Sequence, residues 1–208
     1  MSPDLNLSTS SHALDDETAR AEIYGLLSQL FYAAPSQELL AQLQVAVTEA
    51  PDAGAFLEDP WRELVACARS LNQRQIADEF TRLFGGVGKP EVYVFGSHYL
   101  SGFLNEKPLV RLRDDLAALG LARSQDMSET EDHAAYVFEV MRYLIAGDDV
   151  TVSNLTQQMA FFSQHLQPWV PLMCQAIQNH PQAVFYARLA DFTAAFMGVE
   201  AQGFDLVN

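Results

Sequence analysis

The stretch Ser128-Glu129-Thr130-Glu131-Asp132-His133-Ala134-Ala135 runs directly into an apolar stripe, and that junction decides the fold. Ala134, Val137, Phe138, Met141, Leu144 and Ile145 recur at the three-and-four spacing that lines one face of a helix. Ser128 and Glu131 have the S-x-x-E spacing of a capping box, in which each side chain satisfies the other residue's orphan backbone N–H. The pattern predicts a helix over about residues 129–146 whose first turn carries an acid, acid, histidine cluster. Because the stripe is core, Asp132 and His133 are expected to face the surface at the core's mouth, where a partner could be recognised. The same residues would serve equally as an ordinary helix cap. Neighbours on a helix point about 100° apart, so Asp132 and His133 are not expected to orient one another.

Outward from this junction the chain reads as helix after helix. Ile23, Leu26, Leu27, Leu30 and Phe31 form a stripe opened by Asp15-Asp16-Glu17 and closed near Pro35. Leu39, Leu40, Leu43 and Val47 mark a second helix that Pro51 and Gly54 end, Trp61, Leu64, Val65 and Ala68 a third, and Ile76, Phe80, Leu83 and Phe84 a fourth. Gly85 to Ser97 breaks the pattern with Gly85, Gly86, Gly88, Pro90 and Gly96, and reads as a structured loop. Helical segments follow at Leu109 to Leu119, at the capped stripe, at Leu155, Met159, Phe162 and Leu166, and at Phe185, Leu189, Phe192 and Phe196. No segment alternates with period two and no repeat of solenoid length is visible. The expectation is all-α: a loosely ordered stretch over residues 1–15, then a single globular domain of about eight or nine helices over 16–208.

Of 208 residues 49% are apolar, enough for a sizeable core in one domain. Against 12 Lys and Arg stand 27 Asp and Glu, a formal charge of -15 that repels phosphate backbones and favours basic partners. Nucleic acid is therefore not an expected partner, although such acidity also simply aids solubility. Cys67 and Cys174 are solitary, in apolar helical context, and read as buried thiols of a reducing compartment. Residues 1–16 show neither a basic n-region nor an apolar h-region, and no apolar run approaches the roughly 18 residues that span a bilayer. A cytoplasmic protein without membrane insertion is the expectation.

Enzymatic patterns do not assemble. Gly85-Gly86-Val87-Gly88-Lys89-Pro90 lacks the first glycine, the hydroxyl and the preceding strand of a phosphate loop. His12, His98, His133, His165 and His180 are dispersed, with no H-E-x-x-H, and Glu-x-x-His has no paired copy for a di-iron bundle. No catalytic residue, metal or cofactor is assigned.

Taken in order, Asp78-Glu79-Phe80-Thr81-Arg82-Leu83-Phe84-Gly85-Gly86, Gly96-Ser97-His98-Tyr99-Leu100 and Glu131-Asp132-His133-Ala134 resemble the TorD/DmsD/NarJ family of molybdoenzyme maturation chaperones. The likeness extends through Phe161 to Pro168-Trp169 and Phe185-Tyr186 to Phe196, spanning about residues 18–200. It implies a cytoplasmic, all-helical, non-enzymatic chaperone that binds the twin-arginine signal peptide on the catalytic subunit of a molybdenum-containing oxidoreductase, and holds the apoenzyme for cofactor insertion before export. Carried over by motif, the client-peptide residues are Phe80, Leu83 and Phe84, then Val94, Phe95, Gly96 and Ser97, then Asp132 and His133. The resemblance implies Asp132 as an anionic contact for an arginine and His133 as a hydrogen-bonding, pH-responsive group. Phe80, Leu83 and Phe84 also fit ordinary helix core. Val94-Phe95 stands where many relatives have Pro-Trp, and Thr130 where they have proline, which bears on the client rather than the fold. The segment from Tyr99 to Leu116 is similar to members associated with formate dehydrogenases, which makes such an enzyme the candidate client. Two alternatives stay open: an acidic adaptor without signal-peptide selectivity, and a small hydrolase or nucleotide-binding enzyme using Asp132 and His133. A monomer or a domain-swapped dimer hinged at Gly85 to Gly96 is expected.

Overall fold

At the centre lies a pair of helices, α1 (Ser8–Tyr32) and α7 (Ala134–Ala146), packed along their apolar stripes. The computed structural model describes residues 8–48, 57–85, 89–124 and 127–207, with side chains from residue 16 onward. Tyr24, Leu27, Leu30 and Phe31 of α1 and Val137, Phe138, Met141 and Leu144 of α7 are all buried. The Phe138 ring lies between Tyr24 and Phe31, with centroids 6.2 and 5.8 Å away. Each large side chain removed from water here contributes about 1.5–3 kcal/mol, so this seam is a principal source of stability. Around it stand α2 (Gln37–Val45), α3 (Glu58–Ser70), α4 (Gln73–Phe84), α5 (Gly96–Ser101), α6 (Lys107–Ala118), α8 (Leu155–His165), α9 (Val170–Gln178) and α10 (Phe185–Asp205). Helix α10 packs on α9, α3 and α4, α8 packs on α7, and α5 bridges α6 and α9. The domain is all-α, and the described residues contain ten helices and no strand, only an isolated antiparallel bridge between Phe95 and His133.

Two helices exceed the periodic reading. Helix α5 is too short for a hydrophobic period, and α9 carries Pro171 in its first turn, where proline's missing N–H is unneeded and its fixed φ suits the helix. Helix α1 begins at Ser8, ahead of the acidic run expected to open it, and the expectation for residues 1–7 lies outside the described residues. Helix α2 stops at Val45 rather than running to Val47: Arg69 of α3 donates to the Gln44 and Ala46 carbonyls, and Trp61 Nε1 to that of Val47. Pro51, Gly54, Gly86 and Gly88 fall outside the described residues, and with them part of the proposed hinge. Cys174 is buried as expected, with its thiol pushed up to about 12 by burial, whereas Cys67 is only half-buried.

The largest correction concerns the start of α7. The Ser128/Glu131 capping box is not formed, and the helix begins at Ala134 with His133 as its N-cap. Glu131 turns instead to Arg113 of α6, 2.9 Å from its Nε, while Ser128 Oγ approaches Glu129. A capping box does occur at α4, where Asn72 and Gln75 exchange side-chain-to-backbone bonds of 3.0 and 2.9 Å.

Two polar groups lock the bundle from within. Arg20 forks onto Glu200 at 2.7 and 2.8 Å, and Tyr24 donates to the same carboxylate at 3.0 Å, tying α1 to α10. Glu79 of α4, only 4% exposed, accepts the Val184, Phe185 and Tyr186 amides at 2.8, 3.1 and 2.9 Å, and so caps α10 from another helix. A carboxylate suits that position because the first-turn amides have no intrahelical partner and carry partial positive charge.

Candidate functional site

The site is built where the segment entering α5 meets the segment entering α7. Gly96 N–H donates to the Asp132 carbonyl at 2.9 Å and Ala134 N–H to the Val94 carbonyl at 2.8 Å, which together make the Phe95–His133 bridge. Asp132 closes the junction with its side chain: one carboxylate oxygen accepts the Ser97 amide at 2.8 Å, the other the Thr130 hydroxyl at 2.6 Å. Val94, Gly96 and Ser97 are buried and Phe95 is half-buried. Gly96 is needed for a steric reason, since a Cβ there would sit 3.1 Å from two atoms of the rigid Trp169 indole. The indole is itself fixed by its N–H on the His165 carbonyl.

Asp132 and His133 are not surface-facing as expected, being 4% and 6% exposed. The reason lies in distant partners: with Glu131 drawn to Arg113 and Asp132 bound by Ser97, the chain turns inward before the helix begins. Nδ1 of His133 accepts the Ala135 amide at 3.1 Å, so that nitrogen is unprotonated in the capping role. Burial, only partly opposed by the Asp132 charge, lowers the His133 pKa to about 4. The imidazole is therefore neutral near pH 7 and does not change charge there, contrary to the expected pH-responsive role. For Glu131 burial works against the charged form, but the hydrogen bond and charge of Arg113 outweigh it and hold the carboxyl below its ordinary value.

Around the junction four rings form a shelf. His133 meets Phe95 edge-on at 5.0 Å and Tyr136 at 5.5 Å, and Tyr32, 48% exposed at the end of α1, lies 6.5 Å from His133 and 6.0 Å from Tyr136. Tyr32 and Tyr136 were missed by the sequence reading. Tyr136 falls off the core stripe of α7, and only its position one turn after His133 signals it.

The nine expected residues divide into two sets. Val94, Phe95, Gly96, Ser97, Asp132 and His133 are in direct contact at the junction. Phe80, Leu83 and Phe84 lie behind it on α4. Leu83 is fully buried and its carbonyl accepts the Val92 amide at 2.9 Å, while the Phe80 and Phe84 rings pack on each other and on Tyr186. Phe84 also reaches Phe31, next to Tyr32. These three thus belong to the packing of α4 against α1 and α10, and Leu83 ties that packing to the segment leading into the junction through Val92. Among the described residues no three His, Cys, Asp or Glu side chains converge as metal ligands, and no helix is long and apolar enough to cross a membrane.

The sequence profile of the family described as nitrate reductase delta subunit matches residues 50–175, more than half of the chain and the whole of this junction. Proteins named Chaperone protein TorD align over most of their length. That of Vibrio cholerae serotype O1 is 29% identical over 194 residues, covering 86% of this chain and 88% of the relative. Those of Vibrio atlanticus and Colwellia psychrerythraea are 27% and 22% identical, covering 88% and 93% of this chain and 93% and 95% of the relatives. With its all-helical fold, this chain belongs to the nitrate reductase delta subunit family, as a TorD-type chaperone and not an enzyme.

Proposed function

We propose that this chaperone serves the maturation of a molybdenum-containing oxidoreductase by binding the twin-arginine leader of its catalytic subunit in the cytoplasm, keeping the apoenzyme available until its cofactor is inserted. The observation that carries the reading is the shelf of Tyr32, Phe95, His133 and Tyr136, held at a fixed height by the Asp132–Ser97 bond on a molecule of net charge -15. Guanidinium groups stack on aromatic faces and are drawn to an acidic surface, and the apolar segment after them needs a hydrophobic floor. In this reading Asp132 is a positioning residue. Both of its oxygens are engaged within the chain, and the neutral, buried His133 contributes a helix cap and packing for Phe95 and Tyr136 rather than a charge. Leader arginines then meet the rings of Tyr32 and Phe95 and the half-buried Glu129.

The test is a titration with synthetic peptides carrying two consecutive arginines, or two lysines, ahead of a phenylalanine and a run of leucines. The arginine peptide is expected to bind about tenfold more tightly, because lysine keeps the charge but loses the planar fork. Equal affinity would favour an acidic adaptor without leader selectivity. Affinity purification at low salt, where acidic-to-basic contacts are least screened, identifies the client. A formate dehydrogenase catalytic subunit is the candidate, from the character of Tyr99 to Leu116.

A further inference from the structure

Helix α7 has a second apolar stripe, Tyr136, Val140 and Tyr143, of which Tyr136 is buried, Val140 half-buried and Tyr143 exposed. Its cover is the end of α6. There Gly120, at φ 72°, donates to the Ala117 carbonyl at 3.0 Å, and Leu121 donates to that of Leu116 at 2.8 Å, the paired bonds of a Schellman turn. That turn folds Leu121 back over Leu116. Between it, Met127 and α7 lies a pocket of about 240 Å³ with a mainly apolar wall, to which Arg123, Glu131 and Glu139 add charged groups. The Tyr136 ring forms one side. This ring is 9% exposed, and its buried hydroxyl lies near Tyr32 and the Glu129 backbone without completing a hydrogen bond to either. Buried phenols are ordinarily paired, so this unpaired hydroxyl, on a ring that lines the pocket, can take a ligand's polar atom once the Tyr32 side yields.

We propose that this pocket receives an apolar side chain of the client leader, the one following its arginine pair, while a leader backbone group pairs with the Tyr136 hydroxyl. The inference rests on the leader-binding reading above and adds to it a subsite. Three observations favour this occupant. Tyr136 belongs both to the ring shelf and to the pocket wall, so a peptide lying on the shelf reaches the pocket without a break. The volume falls below the roughly 300–1,000 Å³ of sites that enclose a whole small ligand, and suits one leucine- or phenylalanine-sized side chain. A phenol both donates and accepts, which matches a peptide group and not a pure hydrocarbon.

The probe is the two-arginine peptide with phenylalanine next, titrated into the full chain carrying ¹³C-methyl methionine. The Met127 methyl signal is expected to move in step with binding, while that of Met159 on α8 stays in place. Saturating peptide that leaves Met127 unmoved overturns the subsite alone. A wild-type chain that binds no peptide overturns the subsite together with the leader reading, and a Met127 shift that tracks protein concentration without peptide replaces the leader with a second copy of this chain. Val140→Trp fills the pocket and is expected to weaken the peptide at least tenfold and to abolish the difference between phenylalanine and serine at that peptide position. A folded Val140→Trp chain with wild-type affinity overturns the proposal, and if that variant does not fold, the Met127 signal of the wild type decides. Tyr136→Phe is expected to act with opposite signs, raising the melting temperature by removing an unpaired buried hydroxyl while weakening the peptide about fivefold. A fall in melting temperature with unchanged affinity is the result that would assign the hydroxyl to the fold instead.

Discussion

Glu79 and Asp132 are equally buried carboxylates, each 4% exposed, yet the chain satisfies them differently. Glu79 receives three amides from the first turn of α10 and lies among the rings that join α4 to that helix. Asp132 receives a single amide, from Ser97, and a hydroxyl from its own turn. The first bond ties the turn before α7 to the short helix α5 and the second stays within that turn, beside the rings of Phe95 and His133. A buried charge that saturates a helix terminus closes a fold, whereas one with fewer partners at a loop junction fixes the height of a surface. The difference separates what keeps this molecule folded from what shapes the face it presents.

Removing the more fully satisfied group should cost more. Glu79→Ala leaves three orphaned amides at the α10 terminus and should lower unfolding free energy by about 3–4 kcal/mol in urea titrations. A loss under about 1 kcal/mol would erase the contrast with Asp132. Next in size is acid sensitivity at the junction. His133 has a folded pKa of about 4 against an ordinary 6.5, so the unfolded chain binds the proton more readily, and stability is lost as pH falls from 6.5 toward 4. The loss should approach roughly 3 kcal/mol, and His133→Asn, which can still cap α7 but does not titrate, should lack this part of the slope. Matching slopes for the two proteins would show that the ring is not held neutral.

Asp132→Ala should cost about 2 kcal/mol and weaken the arginine peptide, while Asp132→Asn, which can still accept the Ser97 amide, should cost about 1 kcal/mol and keep affinity within about threefold. If Asp132→Asn loses as much affinity as Asp132→Ala, then Asp132 acts by its charge on the leader rather than by its geometry. The smallest effect on stability belongs to Tyr32→Ala. Its exposed ring should cost no more than about 0.5 kcal/mol in folding, yet peptide affinity should drop about tenfold if the shelf is the binding floor.

The long helices were legible because their partners are periodic and local. The stripes of α1, α7 and α10 lie where the sequence puts them, with Phe185, Leu189, Phe192 and Phe196 all buried. What escaped is non-local. Ser128 and Glu131 have a capping box's spacing, but Arg113, 18 residues earlier, takes Glu131, and Ser97, 35 residues earlier, takes Asp132. A spacing rule sees neither. The family resemblance did bring together Val94 to Ser97 and Asp132-His133, which the structure places in contact. It could not separate Leu83, sealed in the core, from the half-exposed Phe95, because burial is a property of the assembled bundle.

The Arg20–Glu200 fork carries a consequence for how the molecule is made. Helix α1 is clasped by α10, 180 residues further along the chain, through this ion pair and through Tyr24 against the Phe196 ring at 4.9 Å. Until α10 has been synthesised, Arg20 and Tyr24 have no carboxylate to meet, and the α4 face around Glu79 has no helix end to hold. A nascent chain therefore keeps this side of the bundle open while every helix between α1 and α10 is made. The bundle closes only when α10 swings onto α1 and α4.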